Sequence, residues 1–382
     1  MRKRLAICAA ILAVAAFATP EFQPGVKEYR ALGGNAFDVS ALPVVYEPGE
    51  SLAAAAGEVP SGGERREVAD GNAGVSGVFI GVASSDFGKA LAKRFALSVP
   101  EKPQGYTIAA KDGTVAIVGH DPVGAFYGAV TLCQMVDGGK VAPAIVRDWP
   151  DILYRGSVSI GRGLMRYAEG EGDRKAALKA AIDEVARLKL NMVCDFFLIC
   201  PSTRDETKLA WWCDIFHYAR VRGIYANDYG TTALYSRYNS DSNVPDGVTA
   251  GTWPCVHEHS PWGDNYFCWA DDAQTEAAAN RYADYLLETG MDEGIVVIHP
   301  VDGGSWQDPE MWSRRCAKCR ARWNDHERWK ASINQFGIWN RVIKKRCPRA
   351  IVGSCIYPYT FNALMTPESE RIEKWNESMP EY

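Results

Sequence analysis

Asp302 stands before two glycines, three residues after His299 and four before Trp306. A carboxyl group can protonate a leaving oxygen. An imidazole can orient that acid or bind a hydroxyl. An indole offers a flat face on which apolar ligand surfaces, sugars included, can stack. Each residue also has a plainer reading. Asp302 in an Asp-Gly-Gly turn can satisfy loop amides. His299 can be a packed, hydrogen-bonded core histidine, and Trp306 can cap a rim.

The elements that must position these groups can be read around them. Ile295, Val296, Val297 and Ile298 form an apolar run that ends where the chain turns polar, as a buried strand does. Similar runs begin at Gly156, Asn191, Gly223 and Ala350. Helical stretches separate them, at 173–188, 207–222, 275–289 and 333–346. The first of these predicts an apolar stripe of Ala177, Ala180, Ala181, Val185 and Leu188. Alternating strands and helices imply a parallel sheet. Polar residues gather at the strand ends: Arg162, Asp195, Asn227, Asp228, His299, Asp302, Tyr357 and Tyr359. In a (β/α)8 barrel, chemistry sits at those ends. A doubly wound sheet would also bind ligand there, but no Gly-rich phosphate fingerprint follows any strand. Tyr382 comes too soon after the fifth strand for three more units at ~30 residues each. The expected fold is therefore α/β, with a (β/α)8-type barrel over 151–382 that stops after about five strands.

The preceding part reads as a compact α+β domain over 19–150. Residues 77–82 form a strand and 86–96 a helix. Strands at 105–110 and 114–119 are joined by Lys111-Asp112-Gly113, whose Asp-Gly pair marks a hairpin. Asp121-Pro122 reads as N-cap and first residue of a helix to Met135. A short strand follows at 144–146. Before residue 77 the expectation is an irregular start with one or two edge strands, one near Pro43-Val44-Val45-Tyr46.

The stretch GYTIAAKDGTVAIVGHDPVGAFYGAVTLCQM, followed by PAIVRDWPDILYRG, resembles the non-catalytic α+β domain before the barrel in bacterial β-N-acetylhexosaminidases of glycoside hydrolase family 20. Similar domains precede the barrels of family 84 hexosaminidases and of α-glucuronidases. The resemblance implies a barrel that opens at Tyr154-Arg155-Gly156 and hydrolysis of glycosidic bonds. Family 20 enzymes carry an adjacent Asp-Glu pair after barrel strand four, and family 84 enzymes an Asp-Asp pair. One member orients the substrate acetamide and the other protonates the leaving oxygen. Here only Asp302 stands in that region, between Val301 and Gly303. Arg162 matches the family's sugar-binding arginine. The expected site is then Asp302 and His299 as catalytic residues, with Arg162, Asp228, Trp306 and Tyr357 binding substrate. A non-catalytic glycan-binding or scaffold protein on the same fold is the alternative.

Composition bounds the partners. The formal net charge is -5, with no long basic run, which argues against nucleic acid. The 12 tryptophans and 17 tyrosines suit either core packing or ligand stacking. An oligosaccharide or polysaccharide is the expected partner, with no cofactor and no metal. Cys255, His257, His259 and Cys268 could hold zinc, but their spacing is not that of a finger, so a disulfide or polar loop is preferred. Cys316 and Cys319 form a lone CxxC, read as a local disulfide or packing pair. The basic residues around it, 314–322, read as a solvated helical face. The N-terminus, MRKR before LAICAAILAVAAFA, reads as a signal peptide over 1–18 with a cut after Ala18. The expected location is secreted or periplasmic, in a bacterium, with no membrane span after cleavage.

Overall fold

The computed structural model describes residues 20–68, 76–157, 173–193, 206–229, 270–298 and 317–354. The chain divides into two units, Met1–Leu153 and Tyr154–Tyr382.

The first unit contains β1 Glu28–Ala31, β2 Phe37–Asp38, β3 Val44–Tyr46, α1 Glu50–Glu58, β4 Arg65–Glu67, β5 Val78–Val82 and α2 Asp86–Phe95. It continues with β6 Tyr106–Lys111, β7 Thr114–Gly119, α3 Pro122–Met135, β8 Val136–Asp137, β9 Lys140–Val141 and β10 Ala144–Asp148. Seven strands form one sheet in the order β1-β10-β6-β7-β5-β3-β4. Strands β4, β3, β5 and β7 run parallel; β6, β10 and β1 alternate in direction from β7 outward.

Every residue of β5 is buried, because helices cover both faces of the sheet. Phe79, Ala116 and Val118 pack against Phe87, Leu91 and Phe95 of α2. The opposite face meets α3, where Gly128 lets the helix press close to Ile117 and Tyr106. Asp112 and Gly113 take φ values of 53° and 70°, the left-handed pair that a tight hairpin needs. The Asp121 carboxylate accepts from the Gly124 amide at 2.8 Å, capping α3. Ser85 caps α2 in the same way, accepting from the Gly88 amide at 2.9 Å.

Two expectations for the start of this unit are corrected. Strand β3 is not an edge, since it pairs with β4 on one side and β5 on the other. The region expected to be irregular also holds α1, with Leu52, Ala55 and Ala56 buried. The alanine run has high helix propensity, and its apolar face is used against α3.

The second unit contains β11 Gly156–Ser157, α4 Arg174–Arg187, β12 Met192–Val193, α5 Glu206–Arg220 and β13 Tyr225–Tyr229. Then come α6 Asp272–Thr289, β14 Ile295–Ile298, α7 Ala317–Arg322, α8 Arg328–Arg346 and β15 Ile351–Ser354. The five described strands lie in chain order, all parallel. A doubly wound sheet reverses its order at a switch point; unbroken order is the pattern of a (β/α)8-type barrel. The expected fold class is thus observed: a sheet-rich α+β unit followed by five strands of barrel type.

The αβ turns repeat one shape. After α5, the Gly223 amide donates to Arg220 and the Ile224 amide to Ala219. After α6, Gly290 and Met291 donate likewise to Leu287 and Leu286. After α4, Lys189 and Leu190 do the same to Ala186 and Val185. Gly223, Gly290 and Lys189 all have positive φ, at 76°, 72° and 55°, the left-handed closure that ends many helices.

The stripe expected on α4 is out of phase. Leu178, Ile182, Val185 and Ala186 are buried, while Leu188 is 52% exposed. The large branched side chains, not the alanines, decide which face turns inward. The α4 and α5 helices are tied by Asp183, which accepts from the Tyr218 hydroxyl at 2.9 Å and from Arg222 Nε at 2.6 Å. No helix among the described residues is long and apolar enough to cross a membrane.

Candidate functional site

Parallel strands in chain order deliver the chain to the same edge of the sheet after every strand. That edge is set by the register. Asn227, Asp228 and Tyr229 of β13 pair with Ile295, Val296 and Val297 of β14. These in turn pair with Ile351, Val352 and Gly353 of β15, and Ile298 pairs with Ser354. Asp228 therefore sits in one row with Val296 and Val352, a carboxylate-bearing position beside two apolar strands.

Of the six residues expected to form the site, Asp228 is placed, on β13. His299 follows Ile298, the last residue of β14, directly in the chain. His299, Asp302, Trp306, Arg162 and Tyr357 lie outside the described residues. So do the Cys255 to Cys268 group and Cys316.

The opposite end of the sheet is locked by Arg155 and Asn191. The Arg155 amide donates to Asn191 Oδ1 at 2.6 Å, and the amides of Asn191 and Met192 both donate to the Arg155 carbonyl. Arg155 Nε donates to the Lys189 carbonyl at 2.9 Å. The Asn191 carbonyl then accepts from the Tyr225 amide at 2.8 Å. This chain of bonds fixes β11, β12 and β13 relative to one another. Gly156 is required there, because a Cβ would stand 2.0 Å from the Met192 carbonyl oxygen. The Tyr-Arg-Gly sequence thus sets the start of the sheet.

A second polar cluster holds the entry to α6, the helix after β13. Arg322, at the end of α7, donates to both carboxylate oxygens of Asp272 at 2.7 and 3.0 Å and to Asn334 Oδ1 at 3.1 Å. Asn334 Nδ2 donates to Asp272 at 2.8 Å. Burial would raise the Asp272 carboxyl, but these hydrogen bonds and the guanidinium charge outweigh it and hold the group below its ordinary value. An acid in the first turn also suits the helix dipole. Lys318, Arg320 and Arg322 of the basic run are exposed, as a solvated face requires, and Arg322 in addition ties three helices together. The signal was the Asp271-Asp272 pair at a helix start, which asks for a cationic or donor partner.

Other described charges of this unit tie helix to helix. Lys175 and Lys179 both reach Asp214 at 2.7 Å, and their hydrogen bonds lower its carboxyl. Arg346 bonds Asp284 and the Asn280 carbonyl. These groups brace α4 to α5 and α6 to α8.

Residues 19–149 match the family model described as glycosyl hydrolase family 20, domain 2. The resemblance carried by the hairpin, the F-Y-G-A helix and Asp-Trp-Pro-Asp is therefore borne out. Solved structures share the fold over both units. A β-N-acetylhexosaminidase from Bacteroides fragilis is 14% identical, with TM-score 0.53, covering 86% of this chain and 65% of its own. A chitobiase from Flavobacterium johnsoniae is 12% identical, with TM-score 0.54, covering 87% of this chain and 52% of its own. An exo-β-N-acetylglucosaminidase from Vibrio harveyi, in complex with N-acetylglucosamine, is 13% identical, with TM-score 0.50, covering 87% and 54%. The chain spans between about half and two thirds of the length of these proteins. At such identities the likeness is one of fold.

Proposed function

We propose that this protein is an exported glycoside hydrolase that cleaves glycosidic bonds in glycans, with N-acetylhexosaminides as the first substrate class and uronic acid glycans as the second. The carrying observation is the family 20 domain 2 match at 19–149, followed directly by parallel strands in chain order. Asp302 donates a proton to the glycosidic oxygen as its bond to the anomeric carbon breaks. The anomeric carbon then takes a hydroxyl from water, and the water's proton restores the acid. His299 orients that acid. Arg162, Asp228, Trp306 and Tyr357 bind the sugar. The test is turnover of aryl β-glycosides of N-acetylglucosamine, N-acetylgalactosamine and glucuronic acid by the protein expressed from its native reading frame.

The non-catalytic alternative is favoured by one observation: Asp302 has Val301 and Gly303 as neighbours where the families place a second carboxylate. Glycan binding without cleavage of any substrate in that panel would establish it. Export rests on the MRKR and apolar segments before Thr19. N-terminal sequencing of protein from the culture medium or periplasm should start near residue 19; retention of Met1 would refute it.

A further inference from the structure

The first unit carries a cleft of about 470 Å³ on the sheet face that α2 only partly covers. Lys27, Glu28, Arg30, Leu97, Ile145 and Arg147 are among the residues that line it. Register explains why the charges share a face: Glu28 pairs with Arg147, and Arg30 with Ile145. Ile145 packs against the core under α2, so Glu28, Arg30 and Arg147 project on that side, since alternate strand residues share a face.

The charges are unevenly satisfied. Arg147 Nη1 donates to both Glu28 oxygens at 2.9 and 2.8 Å, and Nε donates to the Ser98 carbonyl at 2.9 Å. Those bonds hold the guanidinium plane in place, and its central carbon lies 5.8 Å from the Trp149 ring centre. Its Nη2 donates to nothing among the described residues. Lys27 pairs with Asp151. Arg30 is exposed and has no ion pair or hydrogen-bond partner among the described residues. The cleft therefore keeps a net positive charge, an oriented guanidinium and apolar lining from Ile145 and Leu97. Its size is that of an ordinary small-molecule site.

We infer that this cleft binds an acidic saccharide unit, with the carboxylate on Arg30 and the Arg147 edge and the sugar ring over Ile145 and Leu97. A guanidinium's parallel donors match a carboxylate, and the apolar lining at Ile145 and Leu97 suits a pyranose face. The choice of a saccharide rests on the glycan reading above; the anionic preference rests on the cleft alone. Such a site would hold an acidic glycan on the domain ahead of the barrel.

The test is titration of the whole protein with methyl β-D-glucuronide, methyl N-acetyl-β-D-glucosaminide, and inorganic sulfate, followed by amide shifts. The parent should bind the glucuronide, with shifts at Arg30, Ser98 and Arg147. Arg30→Glu, at an exposed position with no partner to lose, should weaken binding about tenfold or more. Arg30→Lys should restore part of it. Sulfate binding as tightly as the glucuronide would overturn the saccharide assignment. No shifts in the cleft, or binding unchanged in Arg30→Glu, would overturn the site itself. N-acetylglucosaminide shifts confined to the second unit would uphold the glycan reading whichever way the cleft answers. The absence of both sugars' shifts would tell against both.

Discussion

The Tyr106 hydroxyl donates to Asp148 Oδ2 at 2.9 Å and lies 2.6 Å from Thr131 Oγ1, wholly inside the first unit. Asp148 also accepts from the Lys27 amide. One phenol therefore joins β6, α3, β10 and the segment leading into β1. Tyr106→Phe leaves Thr131 and Asp148 short of a partner and should cost about 1–3 kcal/mol, read as a lower melting temperature.

The same residue makes an alkaline prediction. Burial and the neighbouring Asp148 charge push the Tyr106 phenol well above its ordinary value. Above pH ~10 the unfolded chain gives up this proton while the folded chain keeps it. The contribution is thus complete below pH ~10 and is lost as pH rises further. Denaturant melts between pH 8 and 11.5 should show a decline above 10 in the parent that is smaller in Tyr106→Phe.

Charge pairs in the second unit should differ sharply in weight. Asp183 and Arg222 are 20% and 12% exposed, and Asp183 also holds Tyr218, whose ring lies 3.5 Å from the Arg222 guanidinium carbon. Asp183→Ala should cost about 2–3 kcal/mol, because it leaves Arg222 half-buried without its anion. Glu184 next to it pairs with Arg187 on the surface. Glu184→Ala should change stability by less than about 0.5 kcal/mol. Equal effects in urea melts would contradict this account.

Two glycines should respond in opposite directions. At Gly156 a methyl group would meet the Met192 backbone, so Gly156→Ala should cost about 2–3 kcal/mol. At Gly337, inside α8, nothing stands within 4 Å of a Cβ. Gly337→Ala should stabilise by about 0.5–1 kcal/mol, since alanine restricts the unfolded chain and favours helix.

What could be read in the sequence followed the strength of local signals. The Asp112-Gly113 turn, the Asp121-Pro122 cap and the all-apolar β5 each announce themselves within a few residues. So does the sheet order, through the strand-helix alternation after Gly156. The helix α1 was missed because an Ala-Gly-rich stretch bounded by Pro48-Gly49 resembles a loop, and only the neighbouring α3 gives its weak apolar face a place to go. The phase of α4 follows Leu178 and Ile182, whose burial gains more than that of the alanines at 177, 180 and 181. The internal position of β3 depends on its partners β4 and β5, far apart in sequence, which no local pattern reveals. Of the candidate site residues Asp228 is described, one residue before the end of β13; the others lie outside the described residues. The Asp272–Arg322–Asn334 tie was not legible, since its members are joined only by the packing of three helices.

The central claim is that the residues after β14 carry hydrolysis, with Asp302 as the acid. The most direct measurement compares the parent and Asp302→Asn on the aryl β-glycoside of N-acetylglucosamine, with folding checked by circular dichroism. The account predicts turnover by the parent and a fall in kcat of ~10²–10⁴-fold in the mutant, with KM little changed. Full turnover by a folded Asp302→Asn protein would contradict it and reduce Asp302 to a loop cap.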